Sequence, residues 1–295
     1  MTASSPSPIR PLNIGNVVSA GLSLYRTNFK TYTGLSLKAL LWYLLPIYGW
    51  AKSAMIAGQI GRLGFQELIR QPESVPGALQ RVSPKMWSFL GVAILVGLIQ
   101  AGVNIAASMA SWIVLFPVAL IGGALGDVGV VLTGLINFVV QIILFAIQLW
   151  FQARFLVYDL AIAVETDKES IGSISRSWNL SKGSVFRVQG VLLVTYLIMV
   201  PLFVLSAVPL LFTIPLFARI SVDFPTADVG PIVGLIALAF LAFFVLLLVA
   251  GIFTMPFFQS IKSVLYYDLL SRREGLDIQL ADRGPTDQRP TDEPI

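Results

Sequence analysis

Residues 86–126 read MWSFLGVAILVGLIQAGVNIAASMASWIVLFPVALIGGALG, a stretch without a single charged side chain. A helix crosses a hydrocarbon core of about 30 Å with about 20 apolar residues. This run is therefore twice as long as a span requires. Uncharged runs recur at 128–153, 188–218 and 229–261, and a shorter one lies at 39–51. The pattern predicts an all-α fold: a polytopic transmembrane helical bundle.

Composition agrees and removes much chemistry. Hydrophobic residues make up 56% of the 295 and charged residues 12%, against about a quarter charged in soluble domains. There is no Cys and no His. Thiol chemistry, disulfides, Cys/His zinc sites, copper sites and His general-base catalysis are thereby excluded. No cofactor, no metal and no nucleic-acid partner are expected, and the chain is read as a non-enzyme.

Basic residues alternate with the apolar runs. Arg10, Arg26 and Lys30 precede the first; Arg62, Arg70, Arg81 and Lys85 separate the first from the second. Arg154, Lys168, Arg176, Lys182 and Arg187 separate the third from the fourth, and Lys262, Arg272 and Arg273 follow the last. The other two breaks carry Asp127, Asp223 and Asp228 with only Arg219. The positive-inside bias puts both termini in the cytoplasm, and the chain is expected in the cell inner membrane or another internal membrane. The expected layout is about six passes in three hairpins. The later four fall near 88–112, 131–153, 185–207 and 231–258. The first hairpin, 34–46 and 48–63, is short and diluted by Lys38, Lys52, Gln59 and Arg62. It is open to a spanning or a re-entrant reading.

Residues 12–275 form one membrane domain of three weakly repeated units, 12–74, 75–165 and 166–275. Residues 1–11 lack the apolar core of a signal peptide and are expected to be disordered. So is the tail 276–295, where five acidic residues face two arginines among three prolines. Each hairpin is preceded by an amphipathic basic segment, expected to form an interfacial elbow helix. Val18, Leu22, Tyr25 and Phe29 mark the first, Leu79, Val82 and Met86 the second, and Ile171, Ile174 and Trp178 the third, behind a capping box of Thr166 and Glu169.

Two sets of candidate residues emerge. In the third elbow, Arg176, Trp178, Lys182 and Arg187 suit contact with anionic lipid headgroups, with Gly183 ending the helix. Inside the membrane, Gln100, Asn104, Ser108 and Ser111 share one helix face, and Asn137, Gln141, Gln148 and Gln152 share another. Amides in hydrocarbon need partners, so the two stripes are expected to face each other in a packed bundle. A lining for a solute path is the competing reading. Asp159 and Asp268, just past the ends of their helices, are expected to form ion pairs with nearby basic residues.

Two motifs carry a family resemblance. Arg176-Ser177-Trp178-x-Leu180-x-Lys182-Gly183 precedes an apolar run, and Tyr266-Tyr267-Asp268-Leu269-x-x-Arg272-Arg273-Glu274-Gly275-x-Asp277 follows the last one. Together they resemble the bacterial membrane domain attached to some glycerophosphoryl diester phosphodiesterases, and its stand-alone relatives. The resemblance covers mainly 166–277. It implies a helical membrane module, without the phosphodiesterase activity: the soluble catalytic domain of those enzymes uses His and acidic metal ligands. The expected function is assembly, anchoring or interaction with other membrane proteins in an anionic-lipid membrane. The alternative is a transporter, channel or lipid-handling protein that uses the polar faces of the third and fourth passes.

Overall fold

Asn13 starts the first helix by accepting a hydrogen bond on its side chain from the Asn16 amide at 2.8 Å, an N-cap that satisfies one free donor. The structure, a computed structural model, describes residues 13–165, 170–223 and 229–275. The two ends expected to be disordered and the Thr166/Glu169 capping box lie outside them. Every regular element among the described residues is helical: α1 (Ile14–Thr27), α2 (Phe29–Tyr43), α3 (Tyr48–Leu68), α4 (Val75–Val82), α5 (Met86–Ala124), α6 (Gly126–Phe155), α7 (Tyr158–Val164), α8 (Ser170–Ser181), α9 (Val185–Leu211), α10 (Thr213–Asp223) and α11 (Val229–Glu274), with a 3-10 turn at Ser83–Lys85. The three expected amphipathic segments are helical in α1, α4 and α8, but Phe29, expected in the first, opens α2 and Met86, expected in the second, opens α5. Ser74 caps α4 through the Gly77 amide, and Pro76 occupies its first turn, where a missing N–H costs nothing.

Four helical stretches are long and apolar enough to cross a membrane: Val75–Ala124, Gly126–Val164, Val185–Ala218 and Gly230–Glu274. They contain the four later passes read from the sequence. The first hairpin, now α2 and α3, is not among them. With 39 and 46 residues, α5 and α11 rise about 58 and about 69 Å at 1.5 Å per residue, well beyond the hydrocarbon thickness. Their surplus length belongs to the rest of the fold.

That surplus builds a base. The C-terminal half of α11 is wrapped by α1, α2, α3, α7, α8 and α9, and buries Ile261, Val264, Leu265, Tyr266 and Leu269. Small residues permit the close crossings. A Cβ on Gly21 of α1 would lie 2.9 Å from the Ile261 backbone, and one on Gly61 of α3 would lie 2.7 Å from Leu160. From this base two arms project, α5 paired with α6 and α9 paired with α11. The arms meet near the base, where Tyr196 Oη donates to Gln152 Oε1 at 2.8 Å and Gln189 Nε2 to the Ala146 carbonyl at 3.4 Å. Further out their apolar surfaces are exposed, including Leu98, Phe138, Leu197 and Leu241.

Candidate functional site

The α5–α6 arm closes at its apex on glycine. A Cβ on Gly129 would stand 1.8 Å from the Gly122 carbonyl oxygen, so only glycine lets these backbones touch. Lower down, the two polar stripes face each other. Gln148 Nε2 donates to Asn104 Oδ1 at 2.5 Å, and Gln141 Nε2 lies 3.4 Å from both Ser111 Oγ and Asn137 Oδ1. Asn104 Nδ2 returns to the Gln100 carbonyl one turn back, at 2.8 Å. Gln152 leaves the stripe to join the other arm through Tyr196. Between the helices opens a cleft of about 430 Å³, lined by Ser108, Ser111, Gln141 and Gln148 beside Trp112 and Phe145. Asn104, Asn137 and Gln141 are exposed on this face.

The elbow α8 turns three of its serines inward. Ser173, Ser177 and Ser181 are buried while Ile171 is exposed. Ser177 Oγ donates to the Arg154 carbonyl at 2.9 Å and accepts from the Val157 amide at 3.3 Å, patching the backbone where α6 ends and α7 begins. Trp178 lies edge-on to Trp150, with ring centroids 5.7 Å apart, and the Arg154 guanidinium stands 4.7 Å from its ring centre. Arg176, expected at phosphates, binds two carboxylates instead: Glu165 at 2.7 Å and Glu274 at 2.5 Å. Hydrogen bonding to Glu274, and then to Glu165, raises its proton affinity against the opposing effect of burial. Arg187 pairs with Asp268 at 2.8 Å, and Arg272 binds the same oxygen at 3.0 Å. Of Arg176, Lys182 and Arg187 only Lys182 presents an exposed side chain, and its carbonyl accepts from Arg273 at 2.5 Å.

Sequence reading missed how the base is organised around α7. This seven-residue helix is buried at its centre, and both its ends meet charge of the sign that its dipole favours. At its N-terminus Asp159 accepts from the Leu160 amide at 3.0 Å and forms a buried ion pair with Lys262, with Gln259 Nε2 donating to the same oxygen at 3.0 Å. At its C-terminus Arg62 donates to the Ala163 carbonyl at 2.6 Å, and Lys85 to the carbonyls of Ile162 and Glu165. Arg62 is in turn held by Glu73 at 2.7 Å. Tyr266 Oη, nearly sealed from solvent, donates to Glu165 Oε1 at 2.7 Å. The signal in the sequence was the presence of Arg62 and Lys85 beside apolar segments, which positive-inside reasoning had already used for topology. Asp159 and Asp268 were expected in ion pairs with Arg154, Lys262, Arg272 and Arg273, and the partner of Asp159 is Lys262, across the fold. Arg154 bonds instead to the Trp178 carbonyl and Ser181 Oγ.

Among the described residues no cluster of three or more acidic side chains is arranged to hold a metal ion. Fold and site thus define a class, an all-helical protein with four apolar helices suited to a membrane, a polar cleft in one arm and a charged base. Comparison with protein families, curated proteins and solved structures finds no match.

Proposed function

We propose that this is a non-enzymatic, four-pass integral membrane protein that acts as an assembly or anchoring module for other membrane proteins. Both termini and the base face the cytoplasm in this reading, as the alternation of basic clusters requires. The six passes of the sequence reading reduce to the two arms. Support comes chiefly from one observation: the most apolar stretches of Gly126–Val164 and Gly230–Glu274 bury no residue within the chain. The α5–α6 arm also exposes Asn104, Asn137 and Gln141 on its face, amides that gain from a protein partner in hydrocarbon. The resemblance to phosphodiesterase membrane domains fits a module of this kind. Headgroup contact falls to Lys182 and the aromatic group around Trp178, since Arg176 and Arg187 are engaged by carboxylates.

A photocrosslinking residue in place of Asn137 tests the assembly reading in native membranes. Protein adducts are expected; adducts to lipid alone would overturn it. The 430 Å³ cleft favours one second reading, a path for lipid or solute along the arm. Replacing Asn104 and Gln141 by Leu, with the crosslinker kept at position 137, separates the two. Assembly predicts lost crosslinks and slightly lower thermal stability, whereas a path predicts unchanged stability with lost uptake or lipid movement in vesicles. Topology is checked by single cysteines at Ser4, Ser74, Asp127, Asp223 and Thr291. Impermeant reagents added outside are expected to label only Asp127→Cys and Asp223→Cys.

A further inference from the structure

Residues 29–68 carry two opposing marks. Lys38, Lys52, Gln59 and Arg62 dilute them too much for a span, yet their turn, residues 42–50, reads WYLLPIYGW. The contacts of α2 and α3 explain the combination. Tyr48 stands 6.5 Å from Trp87 by ring centroids, and a Cβ on Gly58 would lie 2.3 Å from the Phe89 ring. Ten residues of α3, about 15 Å of rise, thus meet two residues of α5, about 3 Å. On α11 one serine meets Gly61 and Gly64, neighbours on the same turn of α3. Ser263 Oγ donates to the Gly61 carbonyl at 2.9 Å, and a Cβ on Gly64 would lie 2.9 Å from the same Oγ. Toward α11, the companion helix α2 behaves as α3 does toward α5. Phe29 stacks on Phe253 with centroids 6.3 Å apart, while Ser36, seven residues on, reaches Met255 Sδ at 3.4 Å. Helices that run alongside each other advance together in their contacts. The contacts of α3 with α5 and of α2 with α11 do not, so α3 crosses α5 and α2 crosses α11 at an angle. By contrast, α3 follows α11 from Gly61 beside Gln259 to Phe65 beside Tyr266.

The turn itself is rigid and apolar. Leu44 and Ile47 are each 63% exposed, and Leu45, Tyr43, Tyr48 and Trp50 are exposed as well. Ile47 has φ +61°, a conformation costly for a β-branched residue. A Cβ on Gly49 would stand 1.9 Å from the Trp42 carbonyl oxygen, so the return of the chain requires glycine there. Trp50 Nε1 donates to the Tyr43 carbonyl at 3.1 Å, and the Lys52 ammonium lies 4.2 Å above the Trp42 ring. The packing level is set by Trp87 on α5 and by Met255 to Ser263 on α11, next to Lys85 and Lys262, where the uncharged runs meet charge. Trp and Tyr with a snorkelling lysine at that depth are the side chains of a membrane interface.

We infer that the α2–α3 hairpin lies in the plane of one leaflet at the feet of the spans, its turn at residues 42–50 seated in lipid. It neither crosses nor re-enters the bilayer core. This rests on the four-span reading, and the test keeps the two apart. The chain lacks cysteine, so single nitroxide labels are placed at the exposed Leu45, at Leu98 and Leu241 in the spans, and at Gln80 in the base. The full-length protein is reconstituted in phosphatidylethanolamine–phosphatidylglycerol vesicles, and collision with oxygen and with a nickel chelate gives each depth. Leu45→Cys is expected between Gln80→Cys and Leu241→Cys, about 5–10 Å below the headgroups. A depth equal to Leu241→Cys, a water-exposed profile like Gln80→Cys, or shielding from both reagents by protein would each overturn the hairpin assignment. Water exposure at Leu98→Cys and Leu241→Cys would instead overturn the four-span reading. Trp50, kept as the sole tryptophan with the other five changed to Phe, gives a second measurement: brominated lipids are expected to quench it most strongly when brominated near the glycerol backbone. Strongest quenching near the chain ends, or none, would count against the assignment.

Discussion

The base and the arms are made of the same helices yet obey different rules. In the base, α11 packs leucine and tyrosine among six other helices, and Lys262, Ser263 and Asp268 meet named partners. In the arms, the same helix presents Leu235, Leu238, Leu241 and Phe244 outward. Water drives the burial of apolar surface in the first region. In the second, on the proposed four-span reading, lipid is as good a solvent for leucine as another helix, so packing is sparse and rests on glycine and amides. Burial within one chain is therefore a poor guide to which parts of a membrane protein are well determined. The arms are less packed because their environment asks less of them.

The largest effect that sharpens this contrast is expected at the Asp159–Lys262 pair. Asp159→Leu strands a buried ammonium and should cost about 3–5 kcal/mol, read as thermal unfolding in detergent. Adding Lys262→Met should restore most of the loss. A double variant as unstable as the single one would show that the base depends on the charges themselves, not on their mutual compensation. Next come the glycines. Gly58→Leu, which meets the Phe89 ring, should destabilise by about 1–3 kcal/mol through overpacking. Gly134→Leu on α6 points into open space and should be tolerated. Equal losses at the two positions would break the comparison.

Smaller effects are expected at the seam and the rim. Gln148→Leu removes the bond to Asn104 and should cost about 0.6 kcal/mol, the typical worth of one interhelical hydrogen bond in a membrane. Arg176→Gln releases Glu165 and Glu274 at a partly exposed site. Its cost should be at most about 1 kcal/mol and should shrink as salt screens the pairs. Loss of several kcal/mol at Gln148 would instead identify the seam as a second core.

Much of the site was legible because helix faces follow from spacing alone. Gln100 and Asn104 are one turn apart, as are Asn137 and Gln141, so a hairpin with a short turn at Asp127 brings the two stripes together in only one way. The elbows were equally legible as helices but not in their orientation. The apolar spacing of Ile171, Ile174 and Trp178 gave no hint that Ser177 would repair the break between α6 and α7. Nor did Arg187, a cation just before an apolar run, announce its partner. Asp268 lies on another helix, and only the approach of α9 to α11 brings it within 2.8 Å.

The sequence by itself determined the helices, the four uncharged lengths able to cross a membrane and the chemistry excluded by the lack of His and Cys. These depend on local spacing and on the transfer of side chains to hydrocarbon, which act on each segment separately. Only the tertiary structure decided that α2 and α3 pack against α11 and that α3 also packs against α5, that α7 is clamped by charge at both ends, and that Arg176 and Arg187 meet carboxylates. Each of these depends on groups far apart in the chain, Asp159 and Lys262 by 103 positions. Which charge neutralises which is fixed by helix crossing angles, and those follow from where glycine lets backbones approach.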